Sequence, residues 1–442
     1  MPTRGSLRRG RRHRRREVQV WRFIVPLISL VLTVYIAETF LHLLFIVPEP
    51  LARHYFLGVR QCGARLQVRQ TEYTSELRYN RYGFRESDGA AFTQPTPETI
   101  LFLGDSFVEG FGVSEQERFS NLVAAQLRQA TSQPWRSINA GQLATQPIDY
   151  FHNLVDFGLA LRPRLVVMTV FVGNDFINAA GCTPTPDDRV SDVLPAPPAS
   201  TLWNVLRLGY LSALGSAVTT GRGGIMRTVR NDDFWAAYFR RPVDEDLILD
   251  LAHVTAEEYQ RYTAAMKPEI VQASLGGRLN PSFLTEALIQ HHALEQATSQ
   301  PSSMYTPNDV TSVVEVLSTA RDLAAERQIG FLVVILPDIY QVYPAETEQF
   351  LMKDLDLPVL FPRIAAVAQL HRDLTDALAA ESVPTLDCTA ALRAADARTF
   401  YIYDQHLTAA GHQVVSRELV ARLQASDLLA PPTTQATRPT AP

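Results

Sequence analysis

The chain has 442 residues, 46% of them hydrophobic: room for one large domain with insertions or two ordinary ones, and too apolar for a disordered protein. Charge is placed very unevenly. Residues 1–22 carry nine Arg against Glu17, a net +8, so the formal −5 of the whole leaves about −13 downstream, which argues against nucleic-acid binding by the body of the protein.

The basic segment 1–22 runs into an apolar stretch, Phe23 to Ala37, whose character continues through Leu43 to Val47. A helix needs about 20 mostly apolar residues to cross a bilayer, and 23–47 supplies them even with Glu38 and His42 inside it. Arginines on its N-terminal side predict a cytoplasmic N-terminus, with the rest of the chain periplasmic or extracellular. No small-x-small cleavage site follows, so the stretch reads as an uncleaved, single-pass signal anchor in the cell membrane. The alternative is a core helix behind a nucleic-acid-binding arm. Glu38 and His42 share a helix face, which suits either a membrane-protein partner or a span ending near Ala37 with an interfacial turn beyond.

The membrane-proximal segment 48–95 is mixed and holds a polar and aromatic run from Leu77 to Arg85. Over 96–428, strand-like runs stand at Ile100–Leu103, Trp135–Asn139, Leu165–Phe171, Phe331–Leu336 and Val383–Leu386. Helix-like stretches separate them at Glu115–Gln129, Asp149–Leu161, Asp309–Arg327 and Arg363–Ala380. This alternation predicts an α/β domain with a parallel sheet covered on both faces, whose reactive groups gather at the carboxyl ends of strands.

Between about Ile177 and Thr306 the alternation lapses. Pro184, Pro186, Pro195, Pro197 and Pro198 mark a loop, and helical pieces follow at Trp203–Leu214, Phe234–Phe239, Ala256–Ala265 and Pro281–Ala297. An insertion this long reads as a lid or substrate-binding subdomain. The Pro/Thr-rich tail, 429–442, is predicted to be disordered. Cys62, Cys182 and Cys388 are odd in number and lack metal-ligand spacing, so one disulfide is permitted and none required. Cys388 reads as a buried small residue.

The apolar run that stops at Gly104 presents Ser106 beside Asp105, the pattern of a strand feeding a tight turn into a helix. Such a turn alone marks only a connection. Acyl transfer through a serine also needs a base, a group to orient that base, and donors aimed at the developing oxyanion. Ser137 to Gly141 ends the second strand with a glycine whose N–H can approach a substrate closely. Val170 to Asp175 ends the third and places the Asn174 amide there. Near the C-terminus, Asp404 stands two residues before His406, just ahead of a helix. His412 and His152 read as structural, Asp105 as bonded to nearby turn N–H groups, and Asp175 and Glu109 as cleft-lining or, more commonly, solvated or turn-bonding carboxylates.

Gly104-Asp-Ser-Phe107, Gly141, Gly173-Asn-Asp175 and Asp404-Gln-His406 fall in the order of the four blocks of the SGNH/GDSL hydrolase superfamily. The chain from about Arg78 to Leu423 resembles a bacterial membrane-anchored branch of it, in which an Asn-x-x-Gly-Phe-Arg segment, here Asn80 to Arg85, precedes the Gly-Asp-Ser strand. The resemblance implies a three-layer α/β/α, flavodoxin-like fold, with Ser106 as nucleophile and His406 as base. It also implies an oxyanion hole of the Ser106 N–H, the Gly141 N–H and the Asn174 side chain. No cluster of His, Cys and carboxylates has metal spacing and the Gly-x-Gly near Gly110 lacks a dinucleotide fingerprint, so no metal or cofactor is expected. The common pattern sets the Asp three residues before the His, where this chain has Tyr403. The Asp404 spacing resembles that of branches acting on exported glycans. Asp404 is then either the third member of a triad or a helix N-terminal residue favoured by the dipole, with a backbone carbonyl orienting the ring.

The expectation is a membrane-tethered, exported serine esterase acting on O-acyl or O-acetyl esters of envelope glycan or lipid. Two other readings stand beside it: an O-acyltransferase of envelope polysaccharide, and a non-catalytic glycan-binding or scaffold domain. Hydrolysis and transfer differ in whether the insertion keeps water from the acyl-enzyme.

Overall fold

The computed structural model describes residues 25–37, 39, 65–80, 84–86, 96, 98–143, 145–176, 179, 181, 184, 245–295, 307–357 and 361–430. The chain divides into two units, residues 1–49 with 198–225 and residues 50–197 with 226–442. In the first, 25–37 is helical. The transmembrane helix expected over 23–47 is not found: among the described residues, no helix is long and apolar enough to cross a membrane. The rest of that stretch apart from Thr39, with Glu38 and His42, lies outside the described residues, as do 1–22, Cys62, Cys182, the expected helices Trp203–Leu214 and Phe234–Phe239, and 431–442.

The second unit holds two sheets. β1 (Arg65–Arg69) and β2 (Thr74–Arg78) form an antiparallel hairpin. β3 (Thr99–Leu103), β4 (Arg136–Asn139), β5 (Leu165–Phe171), β6 (Gly330–Leu336) and β7 (Thr385–Asp387) form a parallel sheet in the order β4-β3-β5-β6-β7. That is the flavodoxin-like arrangement, in which chain direction across the sheet reverses beside the first strand. The carboxyl end of β3 therefore opens on the crevice where open α/β sheets hold their ligands.

The helices include α1 (Ser106–Glu109), α2 (Phe119–Thr131), α3 (Pro147–Asn153), α4 (Glu245–Ala252), α5 (Ala256–Thr263), α6 (Pro268–Leu275), α7 (Pro281–Glu295), α8 (Pro307–Glu326), α9 (Phe361–Ala380) and α10 (Ala409–Gln424), with two short helices, Pro344–Glu348 and Thr389–Arg393, between α8 and α10. Successive residues of a strand point to opposite faces. Ile100 and Phe102 of β3 join Phe119 and Val123 of α2 and Val415 and Leu419 of α10 in one apolar cluster. Leu101 and Leu103 join Val313 and Leu317 of α8 and Leu370 and Leu374 of α9 in the other. Every residue of β3 is buried, as a strand covered on both sides requires. The result is three layers. The insertion helices α4 to α7 belong to the first cluster through Ile248, Tyr259, Ile270 and Leu284.

Three elements depart from the sequence reading. The helix expected at Glu115–Gln129 is broken into a 3-10 turn, Glu115–Glu117, and α2, with Arg118 extended between them. Arg118 is completely buried, and its guanidinium donates to the carbonyls of Arg85 and Glu115; the extended residue is what turns that side chain inward. The stretch expected at Asp149–Leu161 divides into α3, a π turn and a 3-10 turn. β7 begins later than expected because the Val383 N–H closes the end of α9 on the Leu378 carbonyl and Pro384 has no N–H to give.

Candidate active site

β3 delivers the chain to Gly104, and α1 starts at Ser106. A Cβ on Gly104 would stand 2.3 Å from Val108 Cγ2 and 3.1 Å from the Thr169 carbonyl oxygen, so only glycine lets α1 fold back this tightly over β5. Asp105 caps α1, its carboxylate accepting from the Phe107 N–H at 2.9 Å. The turn-bonding role read for Asp105 thus stands in the structure.

At the other end of the chain, the segment before α10 brings His406 to Ser106. His406 Nε2 lies 2.8 Å from Ser106 Oγ, and its Nδ1 lies 2.8 Å from Asp404 Oδ2. A carboxylate only accepts, so Nδ1 carries the proton and Nε2 is left to accept from the serine hydroxyl. The two-residue spacing works because Gln405 adopts the left-handed conformation, φ 65°. The turn is closed by the Tyr401 N–H on the His406 carbonyl at 2.9 Å, and Phe400 bridges Leu407 at its base. Asp404 is not the N-cap of α10. That position is Thr408, whose hydroxyl accepts from the Gly411 N–H.

Burial disfavours the imidazolium, but the charge and hydrogen bond of Asp404, with Asp105 behind, outweigh it and hold His406 above its ordinary value. Burial pushes Asp105 up to about 7, against the Phe107 N–H bond and the His406 charge. Burial also raises Asp175, and the like charge of Asp105 adds to it. Asp175 is not solvated: it accepts from Tyr150 Oη and the Phe171 N–H, both at 2.8 Å. Glu109 is likewise buried, accepting from Tyr79 Oη at 2.7 Å and the Leu143 N–H at 2.6 Å. These two carboxylates fix strand ends and the hairpin instead of lining open cleft. His412 is structural, its Nδ1 accepting from the Phe119 N–H at 3.2 Å. Cys388 is free and buried, and burial pushes its thiol up.

The expected oxyanion donors have different surroundings. The Ser106 N–H begins a helix, where the first turn offers no intrahelical acceptor. The Gly141 N–H donates to Asn139 Oδ1 at 3.1 Å. A Cβ on Gly141 would lie 2.3 Å from the Glu109 nitrogen, so that position carries glycine for the sake of α1. Asn174 is exposed in the turn after β5.

Two residues near the site were not found from the sequence. At the tip of the β1–β2 hairpin, Tyr73 Oη donates to Asp404 Oδ2, and the Glu72 carboxylate accepts from backbone N–H groups of the segment carrying Asp404. Nothing local marks them; the signal is contact across almost the whole chain.

No protein-family model and no curated protein matches the sequence. Solved structures similar to the chain include the lipase Lip_vut3 from a goat rumen metagenome, at 10% identity and TM-score 0.35, covering 74% of this chain and 97% of that one. The lipase/acylhydrolase from Enterococcus faecalis is similar at 10% identity and TM-score 0.35, covering 74% and 96%. A catalytic mutant of Axe2, an acetylxylan esterase from Geobacillus stearothermophilus, is similar at 9% identity and TM-score 0.34, covering 74% and 94%. In this chain Ser106, His406 and Asp404 form one hydrogen-bonded series at the end of β3 in the β4-β3-β5-β6-β7 parallel sheet.

Proposed function

We propose that this chain is a serine esterase that cleaves O-acyl esters through an acyl-enzyme. The observation that carries the reading is the 2.8 Å contact of His406 Nε2 with Ser106 Oγ, backed by the 2.8 Å contact of Nδ1 with Asp404. His406 takes the hydroxyl proton as Ser106 Oγ attacks the ester carbonyl, then returns it to the leaving alkoxide. Asp404 holds the tautomer and balances the imidazolium. The Ser106 N–H and the Asn174 amide meet the oxyanion, joined by the Gly141 N–H as it exchanges Asn139 Oδ1 for the substrate. Water attacks the acyl-enzyme by the same route in reverse. The arginine-rich 1–22 and apolar 23–47 support a tethered, exported location, where O-acetylated envelope glycan or lipid esters are the substrates within reach.

The test is turnover of p-nitrophenyl acetate by the full chain in detergent, beside Ser106→Ala. The expected loss is about 10³-fold or more; equal rates would remove the serine from the mechanism. A reporter fused after residue 430 is expected to be active only outside the cytoplasm, and cytoplasmic activity would reverse the orientation. O-acyl transfer is a second reading, in which an acceptor hydroxyl takes the place of water on the same acyl-enzyme. Added acceptor glycan that leaves the ratio of acyl transfer to hydrolysis at zero would reject it.

A further inference from the structure

We propose that Glu72 and Tyr73 are positioning residues for the His406–Asp404 pair, so that the β1–β2 hairpin is a working part of the site. The inference rests on the serine-hydrolase reading above. Tyr73 Oη lies 3.0 Å from Asp404 Oδ2, the same oxygen that receives His406 Nδ1 at 2.8 Å. Glu72 accepts from three consecutive backbone N–H groups, those of Ile402 and Tyr403 at 2.8 Å and that of Asp404 at 3.1 Å. Consecutive amides converging on one carboxylate form an anion-binding concavity. Here the anion is a side chain of the protein itself, and what it fixes is the backbone from which Asp404 projects.

The hairpin is rigid enough for the task. The Gln70 N–H closes its turn on the Tyr73 carbonyl at 2.8 Å, and Thr71 donates from both N and Oγ1 to the Arg278 carbonyl, each at 2.7 Å. Val68, Leu77 and Tyr79 are buried with Phe111 beneath it. The Tyr73 ring packs against Tyr401 with centroids 4.7 Å apart and stands edge-on to Phe111 at 6.3 Å, which aims its hydroxyl.

Two consequences follow. A phenol bonded to Oδ2 draws charge away from the oxygen that faces the imidazole, so Tyr73 limits how strongly Asp404 favours the imidazolium. Glu72 keeps the 402–404 backbone in place beside the left-handed Gln405. The charged groups facing His406 are Asp404 at its Nδ1 and Asp105 from the turn before α1, with Glu72 behind Asp404 and His412 on α10.

The test uses the full chain in detergent with ring-labelled histidine, the His406 signal being assigned by its loss in His406→Gln. In Tyr73→Phe the His406 titration midpoint is expected to rise by about one pH unit, since a hydrogen bond to the carboxylate is lost. Fluorophosphonate labelling of Ser106 is expected to slow by about three- to tenfold. A merely structural tyrosine would lower thermal stability without moving the midpoint, and an unmoved midpoint overturns the role of Tyr73. Glu72→Gln keeps the shape and removes the charge. Amide hydrogen exchange over 402–404 is expected to quicken by about tenfold, and unchanged protection overturns the role of Glu72. Failure of the wild type to label at Ser106 would sink the esterase reading alone, because the titration and exchange measurements need no turnover.

Discussion

His406 and Phe107 pack ring against ring, with centroids 5.0 Å apart and a tilt of 39°, and Phe111 adds a second ring at 5.1 Å. These contacts hold the imidazole plane independently of the bond to Asp404. Removing that carboxylate should therefore act on protonation more than on placement.

Asp404→Asn is expected to lower kcat by about 10²- to 10⁴-fold, less than removal of Ser106. On the proposed mechanism His406 must be neutral to act as base, so activity is expected to be lost as pH falls through its pKa. Asp404 holds that pKa above its ordinary value, and without the charge the acid limb of kcat/KM should move to lower pH. A pH–rate profile checks both points. A variant with wild-type kcat would leave a backbone carbonyl as the orienting group.

Asn174→Ala tests the oxyanion role proposed for the side chain at the end of β5. Loss of one such donor costs about 10²- to 10³-fold in kcat, with KM little changed. Steady-state kinetics on p-nitrophenyl acetate give the split, and a change confined to KM would assign Asn174 to substrate binding instead.

Gly141→Ala should disturb α1 itself. The added Cβ would meet the Glu109 nitrogen at 2.3 Å and the Val108 carbonyl carbon at 2.6 Å, both backbone atoms with no freedom to swing away. A loss of stability of about 1–3 kcal/mol or more is expected in chemical denaturation, with slower fluorophosphonate labelling. Stability and labelling equal to wild type would show that α1 has room to yield.

His412 gives a pH-dependence of stability with a definite sign. Burial, with Arg85 and Arg118 nearby, pushes its folded-state pKa down to about 3 from an ordinary 6.5. Between those values the unfolded chain binds a proton that the folded chain refuses, so this residue's contribution is lost as pH falls from about 6.5. His412→Asn keeps an acceptor and removes the titration. Unfolding free energies from pH 7 to 4 should depend on pH less steeply in the variant, by up to about 1.4 kcal/mol per pH unit. Parallel curves would mean that His412 accepts its proton in the fold.

What the sequence made legible was local. β3, β5 and β6 announce themselves as short apolar runs, and Ser106, Asp404 and His406 stand in short motifs that take their meaning from the order of the blocks along the chain. Arg118 shows the limit. Its periodicity fits a continuous helix, yet a buried guanidinium seeking the Arg85 carbonyl interrupts it. Glu72 and Tyr73 were invisible for the same reason: a glutamate and a tyrosine in a polar turn have no local pattern. Asp404 was legible as a candidate only, because whether a two-residue spacing can serve depends on the φ of Gln405.

The hydrogen bond from Ser106 to His406 joins residues 300 positions apart, and that from Tyr73 to Asp404 joins residues 331 apart. Contacts so distant along the chain form late, after the loops between them have paid their closure entropy. Throughout synthesis, then, Ser106 lacks its His406 partner, and on the proposed mechanism it is expected to stay an ordinary alcohol until the two ends of the domain meet. Reactivity toward a fluorophosphonate would thus serve as a clock for completed folding, starting only when the last helix has docked.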